Sequence, residues 1–228
     1  MTSTSSTIIN GNGNVTVNDK LTLNSTSNGA WIDGDFTING EVEIEQAYIG
    51  INADNVIVKG SLNAQNNKNR GIHANGNVTI DGDIIAKATG GSDPVAIYCI
   101  GDITMVSGEV YLTGDAAALQ AKGTITIPVT SRVITPWNGQ VKKMGNFSYI
   151  FAEEGTNPAT EVSIRLKDCD VNHDGSVTIV DALCIVNHVL GNTPNDFDWN
   201  RYELNGDHII TIADAVVVVE MILSGLAK

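Results

Sequence analysis

An apolar–X–apolar triplet returns six times between residues 13 and 127, and the interval of its return limits the possible folds more than any other feature. The pairs are Val15/Val17, Phe36/Ile38, Val56/Val58, Val78/Ile80, Ile103/Met105 and Ile125/Ile127, at successive spacings of 21, 20, 22, 25 and 22 residues. Between them stand Thr16, Thr37, Ile57, Thr79, Thr104 and Thr126. A strand turns alternate side chains to opposite faces, so each triplet is a short strand with two residues in and one out. A second alternating stretch follows each of the first five triplets (Leu21/Leu23, Val42/Ile44, Leu62/Ala64, Ile84/Ala86, Val110/Leu112). A third precedes it (Ala30/Ile32, Gly50/Asn52, Ile72/Ala74, Ile97/Cys99, Leu119/Ala121). Three strands in 20 to 25 residues make one coil of a solenoid. No coil buries its apolar face alone, so the coils must stack. Corners such as Asp33-Gly34-Asp35, Asn75-Gly76 and Asp81-Gly82-Asp83 supply the turns. Asn-Gly also marks hairpins, which makes an antiparallel sandwich the competing architecture. Hairpins, however, have no need of three matching columns at one period. The sequence thus predicts a mainly β chain whose residues 1–166 form a right-handed parallel β-helix. After Pro128 the period fails, and 149–151 with 161–165 are expected to close the solenoid as a strand pair around a turn at 155–160.

A second duplication occupies the end of the chain. Residues 170–181 read D-V-N-H-D-G-S-V-T-I-V-D, with oxygen-bearing side chains at loop positions 1, 3, 5 and 12: Asp170, Asn172, Asp174 and Asp181. Ser176 at position 7 offers its backbone carbonyl, and Gly175 at position 6 permits the sharp turn that closes such a loop. A hard cation takes six or seven oxygens, and this alternation aims them at one point from a single tight loop. The same pattern returns 33 residues on, in 203–214, E-L-N-G-D-H-I-I-T-I-A-D. Its candidate ligands are Glu203, Asn205, Asp207, the Ile209 carbonyl and Asp214. Each loop leads into an apolar stretch of helical length, 182–190 and 215–223, ending near Gly191 and Gly225. Glu203 replaces Asp at position 1 and His208 replaces Gly at position 6, so the second loop is expected to bind calcium more weakly than the first. His173 and His208 are expected to face solvent, because calcium prefers oxygen.

Loop, helix, linker, loop, helix resembles a type I dockerin, over about the last 60 residues. The resemblance implies a small all-α domain of paired EF-hand-like (F-hand) units at 167–228 that binds Ca2+, the form in which Asp stands at position 12. It also implies a cohesin as partner, gripped at loop positions 10 and 11, here Ile179-Val180 and Ile212-Ala213. That surface is apolar rather than the Ser-Thr pair of many cellulosomal dockerins. Segments such as Gly71-Ile72-His73-Ala74-Asn75-Gly76-Asn77-Val78-Thr79-Ile80 resemble bacterial carbohydrate-binding domains built as calcium-dependent, pectate-lyase-like β-helices. Together these likenesses imply a secreted, extracellular or surface-associated protein of a polysaccharide-degrading, cellulosome-like assembly. The alternatives are a surface adhesin or structural solenoid, and a divergent polysaccharide lyase.

On the solenoid, the outward column of the third stretch is expected to hold Trp31, Ile51, His73, Tyr98 and Gln120, with Trp31 and Tyr98 three coils apart. Flat rings on an exposed ladder, Trp31, His73 and Tyr98, suit sugar faces, and nearby amides and carboxylates suit hydroxyls. Catalysis is not expected, since no basic residue recurs beside an acidic ladder and no nucleophile–base motif is present. Asp81, Asp83 and Asp102 are corner acids for which a further calcium is the alternative to solvation. The formal net charge of −13 disfavours nucleic acid and anionic membrane as partners. No apolar run reaches about 18 residues, so no transmembrane helix is expected. Residues 1–10 are Ser/Thr-rich and unlike a secretory signal. Cys99, Cys169 and Cys184 are odd in number and scattered, and are read as small buried apolar residues rather than a disulfide framework.

Overall fold

The structure, a computed structural model, describes residues 2–3, 7–128, 130–137, 139–167, 169–193, 197, 202–205, 207 and 209–225. It divides into two compact units, residues 1–127 with 133–165, and residues 128–132 with 166–228.

The first unit is a solenoid. Its six triplets stack as one parallel sheet, Val15–Val17, Phe36–Ile38, Val56–Val58, Val78–Asp81, Ile103–Ser107 and Ile125–Thr126. Register is kept rung by rung: Val15 opposes Phe36, Phe36 opposes Val56, Val56 opposes Val78, and Val78 opposes Ile103. The paired apolar residues point inward, where Phe36, Ile38, Leu62, Ile72, Ile84 and Ile97 are buried in one continuous core. The second and third columns belong to a single larger sheet, because in two coils they run on as bent strands, Glu41–Ala53 and Ser61–Ala74. Since side chains alternate with period two, each matching column lays like side chains on like, and burial of these ladders is what drives stacking.

The corners are braced by side chains acting one coil on. The amide N–H of Asp35 donates to Asn14 Oδ1 at 2.9 Å, that of Asn77 to Asn55 Oδ1 at 2.8 Å, and that of Asp102 to Asn77 Oδ1 at 2.8 Å. Thr124 N–H donates to Asp102 Oδ1 at 2.6 Å, and this bond holds the Asp102 carboxyl below its usual range. Ser107 Oγ donates to Asp81 Oδ1 and Glu109 N–H to Asp83 Oδ1, both at 2.8 Å. The corner acids therefore join coil to coil.

Two features differ from the sequence reading. The strands Phe147–Phe151 and Glu161–Leu166 do not pair with each other. The first lies antiparallel on Ala117–Ala121 (Ala121 opposite Ser148), the second antiparallel on Val110–Gly114 (Val110 opposite Ile164). Each finishes a different column, which places Ile150, Val162 and Ile164 over the last coil's apolar end. The other difference is in the outward column of the third stretch. Trp31 opposes Asn52, and Asn52 opposes His73, so Asn52 rather than Ile51 occupies that column, while Ile51 faces the core, fully buried. Along Glu41–Ala53 the inward residues pass from Val42 and Ile44 to Ala47, Ile49, Ile51 and Ala53, so the phase changes across Glu45-Gln46, which alternation alone does not reveal.

All three cysteines are free thiols, with Cys99 and Cys169 buried. Burial first, and the Asp102 charge second, push the Cys99 thiol up to about 12. Thiolate is the reactive form. Cys99 is therefore expected to resist a thiol reagent at pH 8 in the native protein and to react at once in denaturant. Labelling of Cys99 in the native state, read by peptide mass mapping, would contradict this placement.

Candidate calcium and docking site

The second unit carries two helices, α1 (Ile179–Val189) and α2 (Ile212–Leu223). Both begin three residues before the apolar stretch that announced them, because a threonine caps each. Thr178 accepts from Val180 N–H and Thr211 from Ala213 N–H, with Asp181 and Asp214 returning the bond from the third helical position. Cys169, Val171, Ala182, Ile185, Tyr202, Leu204, Ala215, Val217, Val218 and Met221 pack as the core between the helices.

In the first loop, Asp170 Oδ1 and Oδ2 accept from the amides of Asp174 (3.1 Å) and Gly175 (3.0 Å). Asn172 Oδ1 accepts from Asp174 N–H at 2.9 Å, Asn172 Nδ2 donates to Asp174 Oδ2 at 2.9 Å, and Asp174 Oδ1 accepts from Ser176 N–H at 3.0 Å. The loop therefore brings Asp170, Asn172 and Asp174 together as expected. The turn closes through two left-handed residues, Gly175 at φ 87° and His173 at φ 61°, the latter exposed. Position 12 is different in kind. Asp181 is fully buried, its Oδ1 accepting from Val171 N–H (2.8 Å) and Asn172 N–H (3.1 Å), its Oδ2 from Thr178 N–H (2.8 Å). One carboxylate thus ties the entry of the loop to the start of the helix.

The second loop repeats this wiring. Asp214, also fully buried, accepts from Leu204 N–H (2.7 Å), Asn205 N–H (2.9 Å) and Thr211 N–H (2.7 Å). Asn205 Nδ2 donates to Asp207 Oδ2 at 2.9 Å, Asp207 N–H to Asn205 Oδ1 at 2.8 Å, and Ile209 N–H to Asp207 Oδ1 at 2.8 Å. His208, on which the expectation of a weaker second site partly rests, lies outside the described residues. Carboxylate and amide oxygens held on a preformed turn are hard donors, which fits calcium rather than a softer ion.

The four positions implied as partner contacts are exposed in the first turn of each helix, Ile179 at 57%, Val180 at 47% and Ile212 at 50%, beside exposed Ala213. The structure adds two residues that the loop motif did not single out. Leu183 and Val216 stand one turn on, at i+4 from Ile179 and Ile212, and both are exposed. Their signal was present in the sequence as apolar residues one helical turn beyond positions 10 and 11, but whether that stripe faces in or out depends on how α1 and α2 pack.

On the solenoid, Trp31 is 41% exposed, whereas His73 and Tyr98 are half-buried and in edge contact, ring centroids 5.0 Å apart. Tyr98 continues into Phe147 (6.1 Å), Phe147 into Tyr149 and Tyr149 into Phe151. The Arg70 guanidinium lies 5.2 Å from the Tyr98 ring centroid and pairs with Asp93 at 3.2 Å. Burial, and then the Arg70 charge, lower the pKa of His73 below its ordinary value. The three ring residues named from sequence do share one face, but only Trp31 is widely open.

Two loop–helix copies with matching hydrogen bonds define a paired EF-hand-like module. Residues 168–223 match the family model described as Dockerin type I domain, and the chain carries that domain there. Type I dockerin domains bind calcium through EF-hand-like loops. A dockerin implies a cohesin partner and supports a place in a cellulosome-type assembly. None of the curated proteins and none of the solved structures compared with the chain matches it. No helix among the described residues is long and apolar enough to cross a membrane.

Proposed function

We propose that the chain is a non-catalytic, extracellular polysaccharide-binding solenoid attached by its calcium-loaded dockerin to a cohesin-bearing scaffold, in the service of polysaccharide breakdown. In this reading the calcium oxygens come from Asp170, Asn172, Asp174, Ser176 and Asp181 in the first loop, and from Glu203, Asn205, Asp207, Ile209 and Asp214 in the second. Ile179, Val180, Ile212 and Ala213 meet the cohesin, joined by Leu183 and Val216. Trp31, His73 and Tyr98 form the sugar platform. The observation that carries the reading is the repeated wiring of the two loops, which holds exposed apolar residues at equivalent places on two helices. An apolar contact makes the association weakly dependent on salt and strongly dependent on shape.

The test is capture of the full chain by immobilised cohesins of several types, with calcium or with chelator. Capture by at least one cohesin, lost on chelation and reduced at least tenfold in a variant combining Ile179→Asp and Ile212→Asp, is the expected result. Capture that survives chelation, or no capture by any cohesin, refutes the docking role.

A further inference from the structure

The corrected outward column holds two amides that the platform reading did not use. From coil to coil it runs Trp31, Asn52, His73, Tyr98, Gln120, each opposite the next in register. Asn52 is 4% exposed and Gln120 9% exposed. Neither side chain has a hydrogen-bond partner among the described residues. Neither amide is sealed from solvent, so each can meet a ligand arriving at the surface. Here two occur in a single column, each directly beside a ring: Asn52 between Trp31 and His73, Gln120 beyond Tyr98. Rings offer apolar faces, and the amides offer both a donor and an acceptor, the pair that a sugar hydroxyl needs.

The charges around the column limit the sugar. Of the cations beside its rings, Arg70 is already committed: Nη1 donates to Asn69 Oδ1 at 2.7 Å and to the Asp93 carbonyl, and Nη2 meets Asp93 Oδ2 at 3.2 Å; Lys142, opposite Tyr149 at the Gln120 end, donates to the Glu153 carbonyl at 2.8 Å. Burial favours the neutral form of His73. Asp33 and Asp54, both exposed, stand two residues beyond Trp31 and Asn52 on the same coils. A polyuronate would bring carboxylates towards these acids along the Trp31–Asn52 rungs, where Arg70 is already paired with Asp93.

We infer that Asn52 and Gln120 are sugar-contacting residues, and that the column takes a neutral, extended glycan lying across the coils. Coils are spaced at about 4.8 Å, close to the length of one pyranose in an extended chain, so successive sugars meet successive rungs. This rests on the platform reading of Trp31, His73 and Tyr98 and assigns it both a ligand class and its polar contacts.

Affinity electrophoresis of the full chain in calcium tests it, with mixed-linkage β-glucan and hydroxyethylcellulose as neutral probes and polygalacturonate as the acidic one. Retardation by a neutral probe is expected, at least tenfold stronger than by polygalacturonate. Asn52→Ala and Gln120→Ala are each expected to weaken it severalfold, and the double variant at least tenfold, with unchanged melting temperature. If the double variant binds as the parent does while Trp31→Ala loses binding, the amide assignment is overturned and the platform stands. Equal or tighter binding of polygalacturonate overturns the neutral class. Binding of neither class by the parent protein removes the platform itself.

Discussion

Asp181→Ala is expected to unfold the first loop–helix copy and to abolish docking, even in saturating calcium. The side chain is fully buried and accepts from three backbone amides, those of Val171, Asn172 and Thr178. A buried donor that loses its acceptor costs about 1–3 kcal/mol; the Val171 amide is buried and those of Asn172 and Thr178 part-buried, so the substitution removes several kcal/mol before any loss of metal is counted. A domain of some 60 residues has a total stability of only about 3–9 kcal/mol. The loss is therefore a large share of what the unit has. Asp170→Ala is the informative control, because Asp170 is half-buried and its bonds to the amides of Asp174 and Gly175 lie within the loop. It is expected to weaken calcium binding and leave the brace between loop and helix in place. Far-ultraviolet circular dichroism and calcium calorimetry separate the two: the alanine at 181 loses helicity at any calcium level, the alanine at 170 regains it at high calcium. Native helicity and two intact calcium sites in the Asp181 variant would show that the brace is dispensable.

Gly60→Ala should be the most damaging single-methyl change in the solenoid. At that corner a Cβ would overlap the Gly40 carbonyl oxygen of the preceding coil and lie 2.6 Å from the Asn39 carbonyl oxygen. The same crowding recurs at Gly82, whose Cβ would meet the Gly60 carbonyl, so one column of glycines lets successive coils approach. Relief would require moving backbone rather than turning a side chain, and that backbone is held by bonds such as Lys59 N–H to the Ile38 carbonyl at 2.7 Å. Overpacking typically costs about 1–3 kcal/mol and sometimes more. The upper end applies here, for a fall in melting temperature of about 6–12 °C at 2–4 °C per kcal/mol. Scanning calorimetry checks it, with Gly90→Ala as comparison: nothing lies within 4 Å of a Cβ there, although its φ of 84° adds a smaller backbone cost. Equal melting temperatures for the parent and the Gly60 variant would mean that the coils are not in backbone contact.

Much of this was legible because both halves of the chain are duplications. Val15/Val17 through Ile125/Ile127 named the parallel sheet in register, since a side-chain period of two leaves only one phase that buries every pair. That Asp170, Asn172 and Asp174 come together in one loop was legible for a similar reason: contacts within five residues are fixed by local backbone geometry, and Gly175 has the positive φ that its position demanded. The start of each helix was misplaced by three residues because the apolar pattern begins after the capping box does. Asn52 was missed because a bend in the strand Glu41–Ala53 changes the phase of alternation partway along it.

The amino-acid sequence by itself determined the periods, and through them the solenoid, the paired loops and the apolar character of the first turn of each helix. These follow from local geometry repeated, where each copy checks the others. The tertiary structure alone decided what depends on partners distant in the chain. It turned Asp181 and Asp214 inward as braces, left Leu183 and Val216 exposed, joined the closing strands to different columns, and set two amides without partners among rings. Burial is a property of what packs against a residue, and no spacing within a repeat encodes that.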